Sequence, residues 1–579
     1  MANTVADEDL MTTRSFDSDP THVVALPDGR RVHRDHAAHE AVIAPRLETV
    51  RDGVWSLVGN GLSNQTFVRV PEGIVAIDTG ESVEEMREAL RRLREVDASP
   101  IVGVLYTHFH YVEGTAAILE EPGRADPLPV IGHEGIAGNR ERATAEIGPA
   151  YARGLVEQFA IALPPDGPDA SLHVGLGRFY RNPAHAPFTR GHLPVTHPLR
   201  GTGGTFRLGG ALVEWAHAPS DADDSVNYRF ADLELCVHNS VWPALFNVYA
   251  IRGEEYRDPR VLLAGIEGIL RWDPVHLVGA HGPSISGRAE VRRRATRYRD
   301  SIQFLWDQTV RGINKGWTTG ELASRVRLPA LYDEDYLTSE RYGVAEHHVR
   351  QIHAGLRGWF DGDEATLFPL APDERHARLV EGFGGRGAVG GRAAAALAAG
   401  DLRWALELAT WLARSPDATP EDRALLARCL RALAERTPAA NIRSWALTRA
   451  RHLDGSGPMD RHYVHRFGAR ALDGRGTAEI VATLRVTLDP DLVAGMDHHV
   501  AFVVGDVTCG LHVRHGVAVP TDGAGAASTV RMDRGTLVAV LSGRTPWSAA
   551  VAAGAIEVRG DAATVDRVRA AFEVEGLRG

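Results

Sequence analysis

Two histidines at the end of an apolar segment are the sharpest chemical feature of this sequence. His108 and His110 stand two residues apart in THFH, directly after the run IVGVLY. Side chains two apart at a strand end project the same way, and neutral imidazole is the most common metal ligand. The pair therefore predicts a grip on one metal ion, although two solvated loop histidines would look the same in a chain with 26 histidines.

Alternating β-rich runs and turns must position these histidines. Between about residues 49 and 110 such runs surround a segment, Ser82 to Val96, whose apolar residues recur at three- and four-residue spacings. That spacing predicts an amphipathic helix over one face of a sheet. Residues 205 to 290 repeat the strand-rich pattern, and each run ends in polar residues or histidines. This part of the chain predicts an α/β fold with its chemistry at strand ends.

The rest of the chain changes character twice. From about Val291 to Ala450 apolar residues interleave with charges as in helices, and GGRGAVGG at residues 384–391 predicts a flexible joint. Residues 454–460 read as a linker, after which LRVTL, HVAFVV and STVRMDRGTLVAVLSG predict a sheet with flanking helices. A chain of 579 residues has room for two to four domains.

Composition excludes several classes of protein. The net charge is -11, and without a concentrated basic stripe we expect no nucleic-acid partner. Cys236, Cys429 and Cys509 are too far apart in the sequence for a disulfide framework or a zinc-thiolate cluster. The N-terminus lacks a signal-peptide pattern, and no apolar stretch approaches the roughly 20 residues of a membrane span. We therefore expect a cytoplasmic protein.

Several segments resemble one known family. The order IDTG at residues 77–80, a helix, an apolar strand and THFH resembles the metallo-β-lactamase fold. Further along, NVYAIRGEEYRDP, WDQTVRGINKGWT, ERYGVAEHHVRQIHAGLRGWFDGD and GDLRWALEL resemble consecutive landmarks of the alkylsulfatases, over roughly residues 50–450. The resemblance implies an α/β metallo-β-lactamase αββα sandwich, then an all-helical domain and a C-terminal α+β sterol-carrier-like domain.

The resemblance also implies where the domains divide. An N-terminal extension covers residues 1–45, a catalytic domain 46–305, a helical dimerisation domain 306–452 and the sterol-carrier-like domain 461–579. The helical domain implies a homodimer. The last domain implies a hydrophobic cavity that holds an alkyl chain, with a plain scaffold as the alternative.

A set of metal ligands follows from the same resemblance. Asp221 stands where the family completes a first metal site, and Asp223 and Asp224 lie beside it in what also reads as an Asp-rich turn. His281 matches the histidine that usually binds a second metal. His238 stands where the family carries an acidic bridging ligand.

The first metal motif departs from the family pattern HxHxDH. After His110 this chain has Tyr111, Val112 and Glu113, so the aspartate and histidine for a second metal are missing. Either Glu113 substitutes as an oxygen ligand, or one ion is held with His238 or His281 as a further contact. We favour one firmly held zinc ion; two ions, or iron, stay open.

Four residues match positions that surround the sulfate group in alkylsulfatases: Asn247, Arg252, Tyr342 and His347. The planar fork of arginine suits a tetrahedral oxyanion because it donates two parallel hydrogen bonds. The implied reaction uses a water whose pKa a metal lowers towards ~7. In it Arg252 stabilises the developing charge, and His347 donates a proton to the leaving group.

Three functions stay open from the sequence. The first is a metal-dependent hydrolase that cleaves an alkyl sulfate or related ester, with a small-molecule substrate that has an alkyl part. The second is a divergent mononuclear zinc or iron enzyme of specialised metabolism with non-sulfatase chemistry. The third is a catalytically inactive protein that binds a hydrophobic ligand.

Overall fold

A computed structural model of the chain describes residues 16, 19–142, 146–463, 467–468, 472 and 475–578. By its contacts the chain divides into two units. Unit 1 comprises residues 1–139 and 154–457, and unit 2 comprises residues 140–153 and 458–579.

The N-terminal extension carries two short strands and a helix, β1 (Val23–Ala25), β2 (Arg31–His33) and α1 (Arg34–His39). The imidazoles of His36 and His39 are buried beside His173, with ring centroids 4.0 Å and 5.3 Å from that of His173. Burial lowers the pKa of His173 to about 4, so its ring is neutral near pH 7. The extension, which is part of unit 1, therefore packs against the segment around His173 through uncharged rings.

A seven-stranded sheet forms the first layer of the catalytic region. Its strands follow the chain in order: β3 (Arg46–Arg51), β4 (Val54–Val58), β5 (Gln65–Val70), β6 (Gly73–Ile77), β7 (Ile101–Leu105), β8 (Val130–His133) and β9 (His197–Leu199). Strands β3 to β6 pair antiparallel, and β6 to β9 pair parallel. The predicted amphipathic helix is α2 (Val83–Arg94), whose apolar side buries Met86 and Leu93 against the outer face of this sheet.

A six-stranded sheet forms the second layer. Its strands are β10 (Gly203–Leu208), β11 (Ala211–His217), β12 (Val226–Phe230), β13 (Leu235–His238), β14 (His276–Gly279) and β15 (Ile285–Ser286). Ile77 and Leu105 of the first sheet share a core with Val226 and Tyr228 of the second, so the two sheets pack face to face. With helices on both outer faces, the predicted αββα sandwich is confirmed.

Helices cover the second sheet and continue into the helical region. In chain order the helices after α2 are α3 (Ile136–Arg142), α4 (Gly148–Gln158), α5 (Pro259–Trp272), α6 (Arg288–Asn314), α7 (Thr319–Arg325), α8 (Ala345–Arg357), α9 (Pro372–Gly382), α10 (Gly385–Ala399), α11 (Leu402–Ala413), α12 (Pro420–Arg436) and α13 (Ala440–Leu453). Helix α6 runs through residues 305 and 306, and the division of the chain at that point stays a prediction.

The flexible joint predicted at residues 384–391 is wrong. Apart from Gly384 these residues belong to α10, where Val389 and Ala393 are buried four residues apart against the neighbouring helices. Packing of that apolar side outweighs the poor helix propensity of glycine, which is about 1 kcal/mol per residue.

Unit 2 contains a five-stranded sheet with flanking helices. Its elements are α14 (Thr477–Thr483), β16 (Asp497–Val504), β17 (Val507–Arg514), β18 (Val517–Thr521), β19 (Ser528–Met532), α15 (Arg534–Leu541), α16 (Trp547–Ala552), β20 (Glu557–Arg559), α17 (Ala562–Ala571) and α18 (Glu575–Arg578), with sheet order β18-β17-β16-β19-β20. The predicted α+β class is confirmed. The strand-like run LRVTL is instead a 3-10 segment, Leu484–Thr487, because Ile480, Val481 and Leu484 bury one helical face.

Two sequence-based expectations concern the whole chain. All three cysteines are free, as their spacing predicted, and all three are buried. Among the described residues, no helix has the length and apolar character needed to cross a membrane.

Candidate active site

Parallel strands β6 and β7 place Asp78 and His108 at the same edge of the first sheet. Asp78 adopts a left-handed backbone, with φ of 55°, and its carboxylate accepts the N–H of Thr107 at 2.8 Å and the hydroxyl of Thr107 at 2.7 Å. Since the Thr107 proton is directed to Asp78, its oxygen accepts from Nδ1 of His108 at 2.9 Å. The lone pair of His108 therefore resides on Nε2.

Asp221 from the second sheet meets both histidines. Oδ2 of Asp221 lies 3.1 Å from Nδ1 of His110 and 3.6 Å from Nε2 of His108. The Nε2 atoms of both histidines are buried without a hydrogen-bond partner in the described structure. One ligand atom from each of the three residues lies within 4.8 Å of the others. Orphaned nitrogens beside a carboxylate form a donor set that fits a divalent metal ion.

The protonation states of this cluster also suit a cation. Burial lowers the pKa of His108 to about 3, so the imidazole is neutral. Burial alone would raise the pKa of Asp221, but His108 and His110 hold it well below its usual value. Nδ2 of Asn239 donates to the second carboxylate oxygen of Asp221 at 2.5 Å, which orients the ligand.

The other predicted oxygen ligands lie outside this cluster. Among the described residues, only His108, His110 and Asp221 form a group of three ligands. Asp223 accepts from Nδ2 of Asn139 at 2.5 Å, and burial raises the pKa of Asp224 to about 7. The Glu113 carboxylate interacts with Glu81 and Arg181.

The two remaining predicted histidines use their nitrogens elsewhere. Nδ1 of His281 donates to the carbonyl of Leu62 at 2.9 Å, and its Nε2 lies 3.3 Å from the hydroxyl of Tyr111. Nδ1 of His238 accepts the backbone N–H groups of Ser240 at 3.1 Å and Val241 at 3.2 Å. Neither histidine joins the group formed by His108, His110 and Asp221.

Arg257, which the sequence analysis missed, is a buried cation near the metal cluster. Its Nη1 donates to the carbonyl of Asn247 at 2.7 Å, while Nε and Nη2 have no hydrogen-bond partner among the described residues. The side-chain amide of Asn247 is likewise buried and unsatisfied. Burial alone would raise the pKa of Asp221, and the positive charge of Arg257 is one of the effects that lower it. The guanidinium of Arg257 therefore lies near the Asp221 carboxylate. Buried donors without acceptors are what an anion site requires.

Tyr342 and Arg252 are joined by Gln158, which the sequence analysis also missed. Nε2 of Gln158 donates to the Tyr342 oxygen at 2.8 Å, and Oε1 of Gln158 accepts the backbone N–H of Arg252 at 3.2 Å. Since the Tyr342 oxygen accepts from Gln158, its own proton is available to another acceptor. The guanidinium of Arg252 donates to Oε1 of Glu254 at 2.9 and 2.6 Å, and this carboxylate competes with any anion for it.

The indole of Trp242 lies against His281, Tyr342 and Arg257. Its ring centroid lies 5.4 Å from that of His281 and 6.0 Å from that of Tyr342, and the guanidinium carbon of Arg257 lies 5.9 Å from it. His347, in the first turn of α8, packs edge-on against Tyr249 at 5.8 Å. Trp242 thus contacts the candidate anion-binding residues Tyr342 and Arg257, and its Nε1 donates to the carbonyl of Asn239, the residue that orients Asp221.

Sequence comparison adds the family. Family profiles match residues 58–111 (metallo-beta-lactamase superfamily), 318–456 (alkyl sulfatase dimerisation) and 470–575 (alkyl sulfatase C-terminal). A linear primary-alkylsulfatase of Pseudomonas sp. (strain ATCC 19151) is 30% identical over 526 residues, covering 88% of this chain and 98% of that protein. The chain belongs to the alkylsulfatase family. The resemblance predicted from THFH and the downstream segments is confirmed.

Other alkylsulfatases align over a similar extent. An (R)-specific secondary-alkylsulfatase of Pseudomonas sp. is 28% identical over 540 residues, which is 90% of this chain and 78% of that protein. The structure of the inverting sec-alkylsulfatase Pisa1 from Pseudomonas sp. superposes with a TM-score of 0.77 at 23% identity, covering 98% of this chain and 93% of that one. This structural likeness shows that the whole alkylsulfatase fold is present.

Proposed function

We propose that this protein hydrolyses alkyl sulfate esters at a site with one zinc ion held by His108, His110 and Asp221. The observation that carries the proposal is the pairing of a metal-ligand cluster with the unsatisfied donors of Arg257 beside Trp242. The names of the relatives, which are alkylsulfatases, support the same reaction.

The cluster is suited to zinc because it combines two imidazoles with one carboxylate. When bound, such an ion would polarise the ester and make a water molecule more acidic. The residues of this chain prepare the site before the ion arrives. Asp78 and Thr107 fix the tautomer of His108, and Asn239 fixes the orientation of Asp221.

The sulfate group is proposed to bind at Arg257, Asn247 and Tyr342. Nε and Nη2 of Arg257 would donate to two sulfate oxygens as a planar fork. Burial raises the pKa of Tyr342 to about 12, so its hydroxyl stays a donor throughout the neutral range. In this proposal Arg252 contributes indirectly, because its backbone N–H donates to Gln158 and so positions that side chain. The guanidinium of Arg252 would bind the sulfate only while it also binds Glu254.

The substrate is proposed to be a linear primary alkyl sulfate. The relative with 30% identity is a linear primary-alkylsulfatase, and this chain covers 98% of it. The alcohol leaves with a proton that His347 is proposed to donate. The apolar interior of unit 2, lined by Phe502, Met532, Trp547 and Phe572 among others, would have to open to admit an alkyl chain, because its cavity of about 20 Å³ has room for about one water molecule.

A homodimer is proposed because one part of the helical region has no core of its own. From residue 354 to residue 388 no residue is buried, and α9 lies entirely within this stretch. The same stretch exposes Trp359 by 71% and Phe368 by 92% of their surfaces. Large apolar side chains exposed in one region favour an interaction surface. A second copy is the favoured partner because a profile for alkyl sulfatase dimerisation matches residues 318–456.

Release of inorganic sulfate from sodium dodecyl sulfate tests the proposed reaction. The zinc-loaded wild-type protein should produce sulfate and dodecanol in equal amounts. His110→Ala should abolish both activity and zinc binding, whereas Asp232→Asn, a change at an exposed aspartate, should affect neither. Zinc binding without sulfate release from primary, secondary or aryl sulfates would favour the alternative of a mononuclear enzyme with other chemistry, which the altered residues Val112 and Glu113 also suggest. Absence of bound metal would favour the third function, that of a catalytically inactive protein that binds a hydrophobic ligand.

A further inference from the structure

The hydroxyl of Tyr111 is hydrogen-bonded to His281, a histidine that the sequence predicts as a metal ligand. The carbonyl of Leu62 can only accept, so the contact of 2.9 Å places a proton on Nδ1 of His281. A neutral ring that donates from Nδ1 carries its lone pair on Nε2. That nitrogen is 3.3 Å from the hydroxyl of Tyr111, which donates to it.

His238 has its lone pair closed in a different way. Its Nδ1 accepts two backbone N–H groups, from Ser240 and Val241, and a backbone N–H cannot act as an acceptor. A neutral ring that accepts at Nδ1 carries its single proton on Nε2. A protonated imidazole nitrogen has no lone pair for a metal.

The residues beside His110 offer no replacement for these two nitrogens. Val112 is apolar and fully buried in the core beneath α2. Glu113 lies close enough to Glu81 and Arg181 for their charges to interact, but Nη2 of Arg181 lies 3.6 Å from Glu81, and Glu113 is not one of the three clustered ligands. Within the described part of the chain, the group of His108, His110 and Asp221 stands alone as a three-ligand cluster.

We infer that Tyr111 makes this a single-ion site, because its hydroxyl holds His281 out of metal coordination and the Tyr111–His281 pair stands in place of a second ion. The inference rests on the proposed metal site at His108, His110 and Asp221. Tyr111 acts here as a positioning residue. Its ring also packs edge-on against His108, with centroids 5.0 Å apart, so the same side chain orients one ligand and closes another.

The number of ions per chain tests this inference independently of activity. Purified full-length protein is stripped with a chelator, incubated with excess Zn²⁺ or Co²⁺, desalted and analysed for metal. We expect one ion per chain for the wild type, and still one for His281→Ala and His238→Ala, because neither side chain is a ligand. His110→Ala should retain almost none. Two ions in the wild type, or a loss of metal in His281→Ala, would overturn the inference.

Tyr111→Phe isolates the hydroxyl group. Without it Nε2 of His281 is open near the carboxylate of Asp221, and we expect Co²⁺ titration to reveal a second and weaker binding event, held by these two groups, that the wild type lacks. Tyr106→Phe is the matched control, since the Tyr106 hydroxyl contacts Thr115 and the carbonyl of Leu193 and closes no histidine lone pair. If Tyr111→Phe binds only one ion at saturating Co²⁺, the hydroxyl is not what excludes the second. Failure of the proposed function has a different signature, which is metal retained in His110→Ala.

Discussion

Thr107 donates its hydroxyl proton to Asp78 across 2.7 Å, and this contact decides which nitrogen His108 presents to a metal. We expect Asp78→Asn to weaken zinc binding about 10- to 100-fold, since loss of an outer partner of a ligand typically has this effect. Competition with a chromophoric chelator measures the affinity. The exposed control Asp232→Asn should bind zinc as the wild type does, and so would Asp78→Asn if the hydrogen-bond chain were irrelevant.

Arg257 is expected to bind the sulfate group. A hydrogen bond to a charged group contributes about 1.5–3 kcal/mol, so Arg257→Ala should lower kcat/KM for dodecyl sulfate roughly 10- to 100-fold. Arg257→Lys keeps the charge but loses the planar fork, and should recover only part of the activity. Arg260→Ala removes a 61% exposed arginine from the first turn of α5 and serves as the control. Equal kinetics for Arg257→Ala and Arg260→Ala would place the anion elsewhere.

The proposed proton transfer from His347 has a distinct pH signature. Burial lowers the pKa of His347 from 6.5, so near pH 7 the ring is mostly neutral. If this residue donates a proton, kcat/KM should rise as pH falls towards the lowered pKa, and His347→Gln should lack that rise. Initial rates between about pH 5 and 9 measure the profile. An unchanged profile in His347→Gln would assign the proton to another group.

The exposed stretch of the helical region should control oligomeric state. Trp359→Glu combined with Phe368→Glu introduces two charges into the proposed contact and should shift the protein from dimer to monomer in light scattering coupled to size exclusion. Leu212→Glu changes a 46% exposed leucine on β11, outside the contact, and should remain dimeric. A double variant that stays dimeric at low micromolar concentration would mean that the copies meet through another surface.

The histidines under the N-terminal extension should make stability depend on pH. The pKa of His173 is about 4 in the folded chain, below the ordinary 6.5, so the unfolded chain binds the extra proton first as pH falls. Stability is thus fully present above about pH 6.5 and is lost towards pH 4, by about 3 kcal/mol for this residue alone. Urea midpoints at pH 7.5 and 5 should differ more for the wild type than for His173→Gln. The extra loss of unfolding free energy in the wild type should not exceed about 3 kcal/mol. Equal differences would remove His173 as a cause.

The group of metal-ligand candidates could be predicted from the sequence, but which further residues lie outside it could not. The spacing of His108 and His110, together with the family resemblance, singled out the cluster with Asp221. The sequence does not show that Nδ1 of His238 faces two backbone N–H groups, because hydrogen bonds within a loop depend on its folded path. The segment NVYAIRGEEYRDP contains both arginines, yet Arg257 was missed, because the pairing of Arg252 with Glu254 and the unsatisfied donors of Arg257 are visible only in the folded chain.

Fold class was read correctly where periodic patterns were long, and wrongly where they were short. The helix at Val83–Arg94 spans several turns with one apolar face, whereas LRVTL is too short to separate strand from helix. The glycines of α10 misled because propensity is a local property, and the packing that decides the helix comes from neighbours distant in the sequence.

His108 and His110 follow β7 of the first sheet, and Asp221 follows β11 of the second, so the three ligands are drawn from the two opposed layers of the sandwich. An ion held there is therefore also a clamp across the layers, and its binding energy is added to the cohesion of the apolar core. A chain made in metal-poor conditions would lose more than its chemistry. Its two sheets would separate more often, and the chain would be cleaved by proteases more readily than the metal-bound protein.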